Sequence, residues 1–201
     1  MSKIINSDAL DTLRKLPDSC CRTCITSPPY YGLRDYGADG QIGLEDTPEQ
    51  YIENLVRIFR EVRRVLKDDG TLWVNIGDSY AASGKGRNRD GVFNEKAENI
   101  QSARQKKSQI RRTIEGNGLK RKDLIGIPWL LAFALRADGW YLRSDIIWQK
   151  PNAMPESVKD RPTRAHEYIF LLSKSSRYYY DAEAVKEPAG GFYNAAPAGS
   201  A

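Results

Sequence analysis

The stretch Arg22-Thr23-Cys24-Ile25-Thr26-Ser27-Pro28-Pro29-Tyr30 decides how this chain folds. Its first five residues suit an extended strand, and two prolines then arrive together. Proline has no N–H to donate and a locked φ, so a central strand cannot run through Pro28 and Pro29. The strand must stop at Thr26. Ser27–Tyr30 is then a stiff turn at its carboxyl end, the natural place for a functional loop.

The same reading extends in both directions. Upstream, Lys3-Ile4-Ile5 is expected as a short strand, followed by a helix capped at Ser7 or Asp8, carrying Leu10, Leu13 and Leu16, and closed by Pro17. Downstream, Thr47-Pro48-Glu49-Gln50 is a helix start, with Thr at the cap, Pro at the first position and Gln three residues after Thr. Ile52, Leu55, Val56, Phe59, Val62 and Leu66 recur at steps of three and four, which predicts an amphipathic helix that Gly70 ends. Thr71–Ile76 follows as a buried strand, then a helix over Leu124–Ala137 and strands over Leu142–Gln149 and Glu167–Ser173. Alternating strands and helices predict an α/β sandwich with a mainly parallel sheet, and the two adjacent late strands an antiparallel edge hairpin.

Residues 80–122 interrupt this pattern with a glycine-punctuated basic stretch that includes Lys85, Arg87, Arg89, Lys106, Lys107, Arg111 and Arg112. Lys and Arg on a loop suit neutralisation of phosphates, with Arg161 and Arg164 expected to act beside them. The chain's net charge of +5 over 201 residues is too small to argue for nucleic acid by itself. Its apolar fraction of 40% is that of an ordinary globular chain. No run approaches the roughly 18 apolar residues of a membrane span, so cytoplasm is the expected location. Cys20, Cys21 and Cys24 crowd one segment without the further ligands a zinc site needs, and no metal is expected. One catalytic domain over 1–187 is expected, with a loosely ordered small-residue tail at 188–201. Tyr178-Tyr179-Tyr180 fits base stacking and alternating strand burial equally well.

A hydroxyl at Ser27 and a rigid carbonyl at Pro28 form a pair of hydrogen-bond acceptors, and Pro29 stiffens their spacing. Two acceptors that grip both N–H bonds of an aromatic amine favour a pyramidal nitrogen and free its lone pair for attack. Tyr30 offers a flat face for an extruded base. If the methyl donor is an activated sulfonium, no strong base is needed.

These residues resemble motif IV of the amino-methyltransferases that form N4-methylcytosine or N6-methyladenine in DNA. The resemblance continues in Asn6-Ser7-Asp8-Ala9-Leu10, Gly70–Ile76, Asp145–Asn152 and Arg164–Ile169, and Tyr31–Gly37 is similar to a phage and prophage branch. It implies a Rossmann-like S-adenosylmethionine-dependent fold and a duplex DNA substrate. Asp8 and Ala9 would meet the cofactor, with Ser27 and Asp78 close to it, while Trp148, Lys150 and His166 would wall the base pocket. Ser at the first motif position leans toward cytosine N4 and leaves adenine N6 open. The family's Phe-x-Gly-x-Gly cofactor loop is absent from this sequence; in this motif order it would lie further toward the C-terminus. The resemblance therefore implies a shortened catalytic domain, or a second chain or homodimer partner that completes it. The rival from another class is a DNA-binding fragment that has lost catalysis.

Overall fold

The computed structural model describes residues 4–38, 40–81, 118–120 and 122–186. Helix α1, Ala9–Lys15, is capped by Asp8, whose carboxylate accepts the Asp11 N–H at 3.0 Å. Strand β1 covers Cys21–Thr26 and stops before the two prolines, as their chemistry requires. Helix α2, Pro48–Val65, begins with the Thr47 hydroxyl accepting the Gln50 N–H at 3.2 Å. It buries Tyr51, Ile52, Leu55, Phe59, Val62 and Val65 along one stripe. The remaining elements are β2 (Leu66–Ile76), α3 (Ile127–Ala137), β3 (Tyr141–Gln149) and β4 (His166–Ser173).

The strands form a sheet of order β1-β2-β4-β3, with β1 and β2 parallel and the other two pairings antiparallel. The expected edge hairpin is β3–β4. The sheet face carrying Leu72, Val74, Ile76, Phe170 and Leu172 forms one core with α2 and α3. Arg64 ties α1 to this body, its guanidinium donating to the Leu13 and Leu16 carbonyls at 2.7 and 2.9 Å. Those carbonyls lie at the helix's C-terminal end, where a cation is favourable.

The elements depart from the expected ones at several places. Ile4 and Ile5 lie outside any strand and are exposed, Ile4 to 96%, because no strand among the described residues pairs with them. Helix α2 ends at Val65 rather than at Gly70, since Leu66 is already extended and its N–H returns to the Val62 carbonyl. Gly70 lies in β2, where Leu66 pairs with Cys21 and Thr71 with Thr23, leaving Lys67–Gly70 as a bulge. A Cβ on Gly70 would come within 2.8 Å of the Lys67 carbonyl oxygen, so the bulge requires glycine. Helix α3 begins at Ile127 rather than Leu124, for a reason found at Asp78 below. Finally, the Tyr179 N–H donates to the Asp69 carbonyl at 3.1 Å. This holds the tyrosine triplet beside the bulge, at the end of β2 away from the Ser27 turn.

Candidate active site

The Ser27–Tyr30 turn leaves β1 over the carboxyl end of β2 and is held from behind by buried side chains. Tyr51 of α2 is fully buried and donates its hydroxyl to the Pro29 carbonyl at 2.9 Å. Burial, reinforced by the nearby Glu45 and Tyr30, pushes the Tyr51 phenol far up, so it remains a donor at any working pH. Tyr31 is buried against Tyr51, their ring centroids 5.4 Å apart. The chain then folds back so that the Gly32 N–H meets the Gly43 carbonyl. Gly43 has φ +98°, and a Cβ there would stand 3.0 Å from the Tyr30 carbonyl oxygen, so the close return requires glycine. Tyr51→Phe removes the donor to Pro29 and is expected to cost about 1–3 kcal/mol of stability. A lowered melting temperature checks this, and an unchanged one would show that water replaces the phenol.

Tyr30 lies with its ring against Gly77, where a Cβ would come within 2.6 Å of the ring. Its hydroxyl stands 2.9 Å from both Asn75 Oδ1 and Glu167 Oε2, so its one proton serves two acceptors. Asn75 Nδ2 donates to Glu167 Oε2 at 3.2 Å and to the Tyr168 carbonyl at 3.1 Å. That orientation aims Oδ1 at the Tyr30 hydroxyl and at the Ser27 hydroxyl, the latter by a long 3.4 Å bond. Lys150 pairs with the other oxygen of Glu167, and its ammonium lies 5.6 Å from the Trp148 ring centroid. Burial works to raise the Glu167 carboxyl, but hydrogen bonds from Lys150, Tyr30 and Asn75, with the Lys150 charge, hold it below the usual range. Burial raises the Tyr30 phenol; the Ser27 hydrogen bond offsets part of the rise and Glu167 adds to it.

In front of this network the turn opens onto a cavity of about 290 Å3, lined by Ser27–Tyr30 with Leu33, Arg34 and Tyr36. That is the small end of ligand pockets, about 300–1,000 Å3, and suits one planar ring. Ser27 and Pro29 are exposed there. Among the described residues no donor reaches the Pro28 carbonyl; the carbonyl that Tyr51 occupies is its neighbour's.

The residues expected at the site divide accordingly. Ser27, Pro28, Pro29 and Tyr30 line the cavity, and Trp148 and Lys150 join them through Glu167. His166 precedes Glu167 in β4 and therefore points to the opposite sheet face, edge-on to Tyr168 at 5.3 Å. Asp8 caps α1 and Ala9 begins it, and both are exposed. Asp78, expected to contact the cofactor, has its carboxylate turned inward. Its carboxylate accepts the N–H groups of Ser79, Gly126 and Ile127 at 2.9–3.0 Å and pairs with Arg164 at 3.5 Å. It thus caps α3 from outside that helix, and this is why α3 begins where it does. Arg164 also donates to the Asp78 carbonyl at 3.0 Å, and Arg161 is paired with Glu156. The expectations for Lys85, Arg87, Arg89, Lys106, Lys107, Arg111 and Arg112, and for the 188–201 tail, fall outside the described residues.

The ends of the basic stretch meet at the site. Ala81 N–H donates to the Asp123 carbonyl at 2.8 Å, Lys122 to Ala81 at 3.0 Å and Ile125 to Ser79 at 2.9 Å. Ala81 and Lys122, described residues at the two ends of that stretch, therefore lie side by side in one short ladder, just beyond Gly77. The Arg161 guanidinium lies 4.0 Å from the centroid of the Tyr80 ring in that ladder. Sequence reading missed Asn75, Glu167, Tyr51 and Tyr36. Asn75, Glu167 and Tyr36 lie in segments that carry the family resemblance, but nothing local singled them out, and nothing hinted at Tyr51.

This α/β sheet, with a proline turn at the carboxyl end of a parallel strand, has the fold of the DNA methyltransferases. It superposes on PvuII DNA methyltransferase (cytosine-N4-specific) with a TM-score of 0.55 at 16% identity, over 87% of this chain and 50% of that one. It superposes on a candidate DNA modification methylase of Thermus thermophilus, solved with S-adenosyl-L-methionine, with a TM-score of 0.54 at 21% identity, over 88% and 55%. The chain belongs to the DNA methylase family of N6/N4 methyltransferases, whose pattern it matches over residues 21–191. It is 56% identical to the Type II methyltransferase M.Cfr9I of Citrobacter freundii, over 95% of this chain and 61% of that relative. It is also 56% identical to M.SmaI of Serratia marcescens, over 93% and 61%. The chain thus spans about six tenths of the length of these relatives. No helix among the described residues is long and apolar enough to cross a membrane.

Proposed function

We propose that this chain forms the amine-binding part of a cytoplasmic, S-adenosylmethionine-dependent methyltransferase that modifies an exocyclic amine of a base extruded from duplex DNA, cytosine N4 ahead of adenine N6. The observation that carries the reading is the exposed Ser27 hydroxyl, held from behind by Asn75 at the mouth of a cavity sized for one ring. Ser27 Oγ and the Pro28 carbonyl accept the two amine N–H bonds, and the rigid Pro28-Pro29 backbone keeps their spacing constant. The ring of Tyr30, backed by Gly77 and tethered by its hydroxyl, offers one face for stacking.

S-adenosylmethionine, when bound, supplies the activated methyl. The Asp8 carboxylate is exposed, and among the described residues only one of its oxygens is engaged, by the Asp11 N–H, so it fits the adenine amine of that cofactor. Asp78, with a side chain only 4% exposed and its oxygens engaged, does not. For DNA, the basic stretch rooted beside the site would neutralise phosphates, with Arg161 at its base; Arg164, tied to Asp78, is left out of that role.

The test is to incubate the 201-residue chain with isotope-labelled S-adenosylmethionine and duplex DNA, then identify the methylated nucleosides by mass spectrometry. N4-methylcytosine is expected. N6-methyladenine would move the target and keep the reaction. No methylated nucleoside, with salt-sensitive DNA binding retained, would favour a second reading: a DNA-binding fragment without catalysis.

A further inference from the structure

Asn75 and Glu167 stand behind the turn with each of their side-chain polar atoms partnered. Asn75 Nδ2 faces two acceptors, Glu167 Oε2 at 3.2 Å and the Tyr168 carbonyl at 3.1 Å. An amide oriented that way can present only its oxygen to the Ser27 and Tyr30 hydroxyls. The Ser27 proton is thereby drawn inward, and its lone pairs are what remains for the cavity. Glu167 cannot turn away, because Lys150 holds its other oxygen.

We propose that Asn75 and Glu167 are positioning residues that hold the Ser27 hydroxyl as an acceptor toward the cavity, so that the site takes an amino base and disfavours a keto base. A base amine donates and is matched; a keto oxygen would face lone pairs and find no proton. This inference rests on the functional reading above, which makes Ser27 the amine acceptor.

Asn75→Asp tests it through its pH profile. The titratable groups facing position 75 are Glu167 from β4, Lys150 from the end of β3 and Tyr30 from the turn. A carboxylate at 75 would stand about one hydrogen bond from Glu167, and two carboxylates so placed share a proton and titrate as a pair with one pKa strongly raised. While the shared proton is present, the introduced carboxyl keeps the donor to Glu167 and the acceptor for Ser27 and Tyr30, and gives up only the bond to the Tyr168 carbonyl. Once it is lost, the pair repels and the pattern breaks. A folded-state pKa raised above the unfolded value contributes stability at low pH that is lost as pH rises through the folded value. The melting temperature of Asn75→Asp should therefore lie closest to wild type at about pH 5–6 and fall further behind above that.

Methyl transfer should follow the same course. The kcat ratio of wild type to variant is expected to open from about 2-fold to about 10–100-fold as pH rises, with KM for duplex DNA unchanged, since phosphate contacts set that affinity. Glu167→Gln, which titrates nothing, should lower kcat by a similar factor at every pH. A stability gap that opens with pH beside a flat kcat ratio would make the network merely structural and overturn the proposal. So would a variant matching wild type in both measurements at all pH values. A wild type that transfers no methyl, while the stability gap still opens, would instead overturn the functional reading.

Discussion

Replacing Ser27 with alanine is expected to lower kcat for methyl transfer by about 10²–10³-fold and leave KM for DNA within about 2-fold. The hydroxyl is one of two acceptors proposed to grip the amine, and preorganised polar groups aimed at the reacting atom contribute differences of that size. The substitution removes little else. Ser27 is exposed, and its bond to Asn75 is long at 3.4 Å. The turn itself is held by Tyr51 on the Pro29 carbonyl and by Tyr31 in the core, neither of which depends on the hydroxyl. Melting temperature should therefore move by no more than a degree or two. Ser27→Thr retains the oxygen and should recover most of the rate. Steady-state kinetics on all three proteins check this, and an alanine variant as fast as wild type would remove Ser27 from the amine site.

Asp78→Ala should be the most destabilising single change around the site, at about 3–5 kcal/mol. The carboxylate serves the N–H groups of Ser79, Gly126 and Ile127 and the Arg164 guanidinium, and its side chain is only 4% exposed. Alanine leaves the first turn of α3 without a cap and a largely buried cation without a partner. Gly126, at φ +82°, has no side chain to replace it. For a domain of this size the loss corresponds to roughly 10 °C in melting temperature. Asp78→Asn keeps an acceptor for the N–H groups and gives up only the charge toward Arg164, so its cost should be about half. Thermal melts of the pair separate capping from charge; equal losses would assign the whole effect to the ion pair. The ladder from Ser79 to Ile125 should loosen with α3, so the DNA affinity proposed for the basic stretch should fall along with stability.

Much of this protein could be read from short spans of sequence. The end of β1, the start of α2 and the strands flanking the hairpin follow from backbone chemistry within a few residues: two prolines without N–H groups, a Thr-Pro cap, and periods of two and three to four. The Ser27–Tyr30 turn was legible for the same reason, as was the class of chemistry that its acceptors suit. The partners of that turn were not, because strand pairing and helix packing bring them from far along the chain. Asn75 lies 48 residues from Ser27 and Glu167 lies 137 from Tyr30, and no local pattern encodes which side chains meet across a sheet. Asp78 shows the limit most plainly. An acidic residue just past a strand suggests an open acceptor, yet the packing of α3 against that strand end turns its carboxylate inward as a cap. Sequence determined where most elements begin and which acceptors the turn offers; only the tertiary structure decided which distant groups orient it, since those contacts exist only once the sheet has its register.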